Sequence, residues 1–264
     1  MRLSHIVLLS LGLGALAACS SDDVSTPTLP PTGSVRFINA VADTGAVDIN
    51  AIDQVELSGS FKNLNFKSGT EYLQVQARAA HFRVFANSKN IAVGSVPIMD
   101  TTITVEANKR VTWLLTGSAR AKTLKFVVIN DDVSAPAAGM IAVRLVNASS
   151  GAVNGYLVSA IDTPIADPAS ASNVAFLGQS PYVIRTAGNA AVRVTDVGSP
   201  TVNVSAAGPV AAVLTGANPA AGVNSAGTKF SVYYFPRGVL GSPQNAQALP
   251  AAIWFVDRNP ADTQ

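Results

Sequence analysis

The sequence has very few of the residues that build disulfides, metal sites and nucleic-acid surfaces. One cysteine, Cys19, and two histidines, His5 and His81, occur among 264 residues. A single cysteine cannot form an intrachain disulfide, and so few sulfur and imidazole groups exclude clustered zinc ligands. Charged residues make up 13% of the chain and the net charge is only +2, whereas about a quarter is usual. We therefore predict no metal, no cofactor and no nucleic-acid partner, because nucleic-acid binding needs a basic stripe.

Glutamate and helical patterns are scarce as well. Glutamate occurs only at Glu56, Glu71 and Glu106, while alanine, valine, glycine, threonine and serine dominate. Such a composition favours strands over helices. The sequence also lacks the Gly-x-Ser-x-Gly elbow and the Walker, dinucleotide-binding and metalloprotease motifs. No motif of a known reaction is left to assign.

The N-terminus carries the one segment with a specific chemistry. A basic start is followed by an apolar run over residues 6–16, which is shorter than the about 20 residues of a membrane-spanning helix. The run ends in Leu16-Ala17-Ala18-Cys19 and resembles a bacterial lipoprotein signal, with Leu16, Ala17, Ala18 and Cys19 as the lipobox. The resemblance implies cleavage before Cys19 and acylation of that residue, for example with palmitate. An ordinary secretory signal with an incidental cysteine is the alternative.

The predicted lipid anchor indicates the cellular location of the protein and the first domain boundaries. Residues 1–18 are the signal peptide, and residues 19–32 are the lipidated cysteine followed by a proline-rich, flexible tether. Because Ser20 rather than aspartate follows the cysteine, the resemblance implies the outer membrane, on its periplasmic face or at the cell surface. Removal of the signal leaves 264 − 18 = 246 residues, which is enough for two domains.

Apolar and polar residues alternate in short segments from Ser34 onward. Residues 35–39, 72–77, 82–85 and 103–105 follow this pattern, and turn residues separate them. Side chains on a strand alternate between faces, so each segment can bury one face and expose the other to water. Many short strands at this spacing predict an all-β sandwich or small barrel.

A series of motifs occurs twice in the same order. Val35-Arg36-Phe37-Ile38-Asn39-Ala40 recurs as Val143-Arg144-Leu145-Val146-Asn147-Ala148, Tyr72-Leu73 as Tyr182-Val183, Leu114-Leu115-Thr116-Gly117 as Val213-Leu214-Thr215-Gly216, and residues 124–128 as 230–234. Collinear matches indicate an internal duplication. We predict two tandem immunoglobulin-like or transthyretin-like β-sandwich domains, over residues 33–135 and 140–264, with a linker over 131–139.

The C-terminal segment has no counterpart in the first copy by this alignment. Residues 251–256 are the most apolar short run of the mature chain. We expect either an added edge strand of the second domain or a segment that docks on the first. Tyr233, Phe235 and Trp254 are candidates for an aromatic partner surface, although alternate members of such a strand usually belong to the core.

The opening of the first copy resembles a known family. Val35-Arg36-Phe37-Ile38-Asn39-Ala40, followed by Asp43-x-Gly45-Ala46-Val47-Asp48-Ile49, is similar to the start of the DUF4397 domains. These are secreted or lipid-anchored bacterial β-sandwich domains, often in tandem, of unassigned function. The resemblance implies two copies over about residues 33–240. The family commonly has a His-Ala-Ser-Pro run where this chain has Asn39-Ala40-Val41-Ala42.

Few residues of the mature chain could carry a reaction. His81 has Ala191 at the matching position of the second copy, and we favour a half-exposed structural histidine over a triad member. Asp43, Asp48 and Asp53 with the pair Asp131-Asp132 could supply oxygen ligands to calcium, but plain turns are favoured.

The function predicted from the sequence is a non-catalytic, lipid-anchored binding or structural module of the cell envelope. Its expected partners are the membrane, through Cys19, and an envelope protein or a glycan. The alternatives are a surface adhesin or glycan-binding protein, and an envelope hydrolase that uses His81. A flat aromatic patch would favour the first alternative, and a pocket that joins His81 to a serine and a carboxylate would favour the second.

Overall fold

The computed structural model describes residues 29–53, 61–211, 221–240, 242 and 249–261. The chain divides into two compact units, Met1–Pro30 and Pro31–Gln264. The predicted signal peptide, the lipobox with Cys19 and most of the tether lie outside the described residues. In the part that is described, no helix has the length and apolar character needed to cross a membrane.

The described residues form fifteen strands and one helical turn, which confirms the all-β prediction. The helical turn, α1, is Ile91–Gly94 and begins after Asn90, whose side chain accepts a hydrogen bond from the Ala92 amide. The strands are β1 Thr32–Asn39, β2 Val47–Ala51, β3 Leu73–Gln76, β4 Ala79–Ala86, β5 Pro97–Thr104, β6 Arg110–Thr116, β7 Lys125–Asn130, β8 Met140–Asn147, β9 Val153–Val158, β10 Ala171–Val174, β11 Val183–Thr186, β12 Ala191–Asp196, β13 Val202–Ala207, β14 Lys229–Phe235 and β15 Ala251–Arg258.

The strands form four sheets, two in each copy. In the first copy, inner sheet one has the order β3-β1-β6-β7 and outer sheet one the order β2-β4-β5. In the second copy, inner sheet two has the order β11-β8-β14-β15 and outer sheet two the order β10-β9-β12-β13. The pairs β1–β6 and β8–β14 are parallel, and the other pairs are antiparallel.

Three apolar cores hold these sheets together in four layers. The first copy packs its inner and outer sheets around Phe37, Phe82 and Trp113, with the rings of Phe82 and Trp113 edge to face at 5.1 Å. The second copy does the same around residues such as Phe230. A third core, which includes Leu114, lies between the two inner sheets. The order of layers is therefore outer one, inner one, inner two, outer two.

The inner strands are buried on both faces. Along β1, Phe37 belongs to the core of its own copy, and Ile38 belongs to the core shared with the other copy. The alternation in β1 predicted that the face bearing Arg36 would be exposed to water. That prediction is wrong, because the second copy covers this face and Arg36 is only 2% exposed.

The end of the chain corrects the sequence alignment of the two copies. Arg36 lies opposite Thr112 on β6, and Arg144 lies opposite Ser231 on β14. The counterpart of β6 is therefore β14, whereas residues 213–216, which the sequence had matched to it, lie outside the described residues. It follows that β15 is the counterpart of β7, so the prediction that the C-terminal segment has no counterpart is wrong.

The C-terminal segment combines features of the two alternatives, although its strand is the counterpart of β7 and not an addition. β15 pairs antiparallel with β14 at the edge of inner sheet two. On its opposite face, Ile253 and Phe255 pack against the core shared by the copies. The close approach of Phe255 explains Gly69, because a Cβ there would lie 2.7 Å from the Phe255 ring.

Candidate functional site: the junction between the two copies

The side chain of Arg36 points from β1 into the junction and is held by both copies. Its Nε and Nη2 donate to the Thr112 hydroxyl at 3.0 and 2.8 Å. Its Nη2 also donates to Asp257 Oδ1 of the second copy at 2.8 Å, and its Nη1 donates to the Val256 carbonyl at 3.0 Å. The side chains of Arg36 and Asp257 are 2% and 0% exposed. A charge-assisted contact of this kind is stronger than a neutral hydrogen bond.

Arg144 repeats this arrangement from the opposite side. Its Nε donates to the Ser231 hydroxyl at 2.6 Å, and its Nη1 donates to the Asn130 carbonyl at 2.9 Å. Its Nη2 donates to Asp131 of the first copy. Each arginine therefore reaches across the junction to the aspartate of the other copy. We call Arg36, Asp131, Arg144 and Asp257 the charge quartet.

Two tyrosines complete the quartet. The Tyr72 hydroxyl donates to Asp131 Oδ2 at 2.7 Å, and the Tyr182 hydroxyl donates to Asp257 Oδ2 at 2.8 Å. The Arg36 guanidinium lies 4.5 Å from the centre of the Tyr72 ring. Such a stacked cation adds a cation–π attraction to the hydrogen bonds.

The electrostatics of the quartet follow from burial of balanced charges. Burial raises the pKa of the Tyr72 and Tyr182 hydroxyls, so both remain protonated donors. Burial and the neighbouring Asp257 also raise the pKa of Asp131. Burial by itself would lower the pKa of Arg36, but Tyr72 and Asp257 raise it, and the guanidinium stays charged. Two cations face two anions, so the quartet carries no net formal charge.

The quartet is suited to fixing how the copies pair. Its carboxylates are closed off from solvent and fully hydrogen-bonded, so no substrate can reach them. Buried ion pairs add little net stability compared with apolar packing, but they penalise any wrong pairing because a charge would be left buried alone. The sequence had placed Asp131 in a linker. Asp131 does follow the last residue of β7, but it is buried at the junction, where it is 6% exposed.

The repeated asparagines of the matched motif hold the loops that follow β1 and β8. Asn39 donates its side-chain amide to the Leu64 carbonyl at 2.9 Å and accepts from the Val41 amide. Asn147 donates to the Val174 carbonyl at 2.9 Å and accepts from the Ser149 amide. Asn39 and Asn147 therefore fix the conformation of these loops and do not form an open site.

His81 lies on the outward face of outer sheet one. Its Nε2 is 2.5 Å from Asp100 Oδ1, and Arg83 Nε donates to the other carboxylate oxygen at 2.7 Å. The hydrogen bond to His81, followed by that to Arg83, lowers the pKa of Asp100. Among the described residues, no serine hydroxyl hydrogen-bonds the His81 ring. His81 and Asp100 therefore form a histidine–carboxylate pair, and the described residues place no serine nucleophile beside it.

The aspartates of the first copy point to separate partners. Asp43 accepts from the Ser118 hydroxyl and from two backbone amides of the following loop. Asp48 accepts from the Asn63 amide, and Asp53 pairs with Arg78 at 3.4 Å. No cluster of three or more His, Cys, Asp or Glu side chains that could hold a metal occurs in the described part of the chain.

The aromatic residues predicted as a partner surface are mostly internal. Tyr233 and Phe235 are 0% exposed and belong to the shared core, because their face of β14 is turned toward the first copy. Their assignment to an exposed surface is wrong. Trp254 is half-buried on the other face, where its ring packs edge to face on Phe230 at 5.6 Å.

The comparison with solved structures gives matches of low similarity. One is the α-glucan-binding part of a streptococcal virulence factor, at 13% identity and a TM-score of 0.25, covering 76% of this chain and 92% of that one. Another is a family 26 carbohydrate-binding module from Eubacterium rectale with maltoheptaose, at 10% identity and a TM-score of 0.24, covering 85% and 95%. Nothing about ligands follows from a likeness of this size.

The comparison with protein families gives a more specific result. No curated protein matches the sequence. Residues 33–156 match the family described as a domain of unknown function, DUF4397. The match spans the first copy and continues through β8 and most of β9, whereas the predicted coverage extended to about residue 240. The match confirms the predicted resemblance to the DUF4397 family over residues 33–156, which are 124 of the 264 residues.

Proposed function

We propose that this protein is a non-catalytic module of the cell envelope, anchored in the membrane by a lipid on Cys19 and presenting two fused sandwiches to a partner. The observation that carries the proposal is the junction. The charge quartet and the shared core join both copies over their inner faces, so the body is one rigid object with a fixed spacing between its two outer faces.

The use of the ionisable residues supports a module without catalysis. The four residues of the charge quartet, with Tyr72 and Tyr182, serve the junction. The one histidine of the mature chain pairs with Asp100 on an open sheet face, and no hydroxyl nucleophile meets it in the described part of the chain. A hydrolase would need a nucleophile and its base within hydrogen-bond reach of each other.

The proposed anchor is tested by removing the Cys19 thiol, to which the lipid would be attached. A Cys19→Ala chain expressed in a bacterium that processes lipoproteins should lose metabolic palmitate labelling and move from the membrane to the soluble fraction, because no other cysteine exists. A Ser20→Ala chain is the matched control and should keep its label. Palmitate incorporation that persists in the Cys19→Ala chain would contradict the anchor.

A further inference from the structure

A concave surface on the second copy is lined by polar side chains that include both an acidic and a basic residue. It has a volume of about 660 Å³ and is lined in part by Asp196, Asn203, Ser205, Tyr234 and Arg237. Its size lies within the range of small-ligand sites, which is about 300–1,000 Å³. The surface lies beside the outward face of β13, where Asn203 and Ser205 stand two residues apart and point to the same side.

One side of this cavity is a fixed hydrogen-bonding array. Asn203 Nδ2 donates to Asp196 Oδ1 at 2.9 Å, and Tyr234 lines the same cavity. Tyr234 is 5% exposed and belongs to the core of the second copy, so this lining residue is held firmly. A carboxylate accepts hydrogen bonds and an amide both donates and accepts them, so this pair can hydrogen-bond the hydroxyl groups of a ligand.

Arg237 places a positive charge in the lining of the same cavity. Arg237 is exposed, and no carboxylate in the described residues is paired with it. Lys67 of the first copy donates to the carbonyl of Leu249, which also lines the cavity. Burial, followed by the positive charge of Arg237, lowers the pKa of Lys67. An anionic group on a ligand would relieve this repulsion.

We infer that this cavity binds an acidic saccharide, with the carboxylate of the sugar on Arg237 and adjacent hydroxyls on Asp196 and Asn203. The planar guanidinium suits a carboxylate, which it can bind through two parallel hydrogen bonds. The inference rests on the proposed function, since it names the class of partner that the module would present itself to. The site depends on the pairing of the two copies, because Lys67 comes from the first copy and contacts Leu249 of the second.

The test is isothermal titration calorimetry of the purified mature chain with Cys19→Ala, using tri-galacturonic acid as the probe. We expect Arg237→Gln to weaken binding by about tenfold or more, since a charge-assisted hydrogen bond is lost. Asn203→Ala should weaken binding as well. Lys89→Gln removes one exposed positive charge from the turn before α1, outside the cavity lining, and should leave the affinity unchanged. The thermal unfolding of all variants should match that of the parent chain.

Two further ligands test whether the site recognises a neutral sugar or any anion in place of an acidic saccharide. Maltoheptaose, a neutral glucan, should not bind measurably, and sulfate should not compete with the trisaccharide at equal ionic strength. Equal binding of maltoheptaose would overturn the role of Arg237, and full competition by sulfate would reduce the site to a simple anion site. Absence of tri-galacturonate binding overturns the ligand inference. It leaves the anchored module intact, because calorimetry in solution does not depend on the lipid that palmitate labelling detects.

Discussion

The inner and outer sheets place the same kind of ion pair in opposite environments. At the junction, Arg36 meets Asp257 at 2.8 Å with side-chain exposures of 2% and 0%. On outer sheet one, Arg83 meets Asp100 at 2.7 Å with exposures of 41% and 46%. The two distances are nearly equal, but only the inner ion pair is shielded from solvent. Geometry therefore does not rank the two pairs; burial does, because it removes the solvent that would compensate a broken bond.

The largest effect should come from removing one member of the charge quartet. Arg144→Ala leaves Asp131 and Asp257 buried with one cation fewer, and we expect a loss of about 3–5 kcal/mol in the free energy of unfolding. Urea titration followed by tryptophan fluorescence measures it. Arg83→Ala is the matched control on the outer sheet and should show no measurable loss. Equal losses for the two variants would remove the distinction between inner and outer pairs.

Asp132 offers an intermediate case at the rim of the junction. Its carboxylate pairs with Lys229 at 2.6 Å while its own side chain is 55% exposed. Burial by itself would raise the pKa of Asp132, but the hydrogen bonds from Lys229 and Ser134 outweigh it and lower the pKa to about 2. The native pKa is below the unfolded value of about 3.9, so the stabilisation is present above pH 4 and is lost as the pH falls toward 2.

Asp132→Asn should therefore cost less than about 1 kcal/mol at pH 7, since exposure to solvent screens the pair. At pH 2 the variant and the parent chain should differ far less, because the parent carboxylate is then about half protonated in the folded chain and almost fully protonated in the unfolded chain. Urea titrations of both chains at the two pH values make the comparison. A difference that is the same at pH 7 and at pH 2 would show that charge is not what Asp132 contributes.

The same comparison explains which parts of the molecule could be predicted from the sequence. Alternation in β1, β4 and β5 predicts strands, because side-chain period is a local property. Alternation cannot say what covers each face. Arg36 and Arg83 both stand among apolar neighbours in a strand, and only the fold tells that a second copy covers one and water the other.

The junction nevertheless left one trace in the sequence. Arg36 and Arg144 occupy the same place in the repeated motif, and Tyr72 and Tyr182 match as well. Polar residues retained at equal places in two diverged copies indicate a shared structural task. The task itself could not be derived, because the partners Asp131 and Asp257 come from segments that the alignment had assigned to a linker and to an unmatched tail.

The central claim, that the two copies form one body through their inner sheets, is tested most directly by two adjacent leucines of β6. Leu114 and Leu115 are both 0% exposed, but Leu115 packs in the core of the first copy and Leu114 in the core shared by both. Leu114→Ala and Leu115→Ala should each lower the free energy of unfolding by about 2–5 kcal/mol in urea titrations. A Leu114→Ala chain within about 0.5 kcal/mol of the parent, as for a surface substitution, would show that the copies do not bury this face and would contradict the junction.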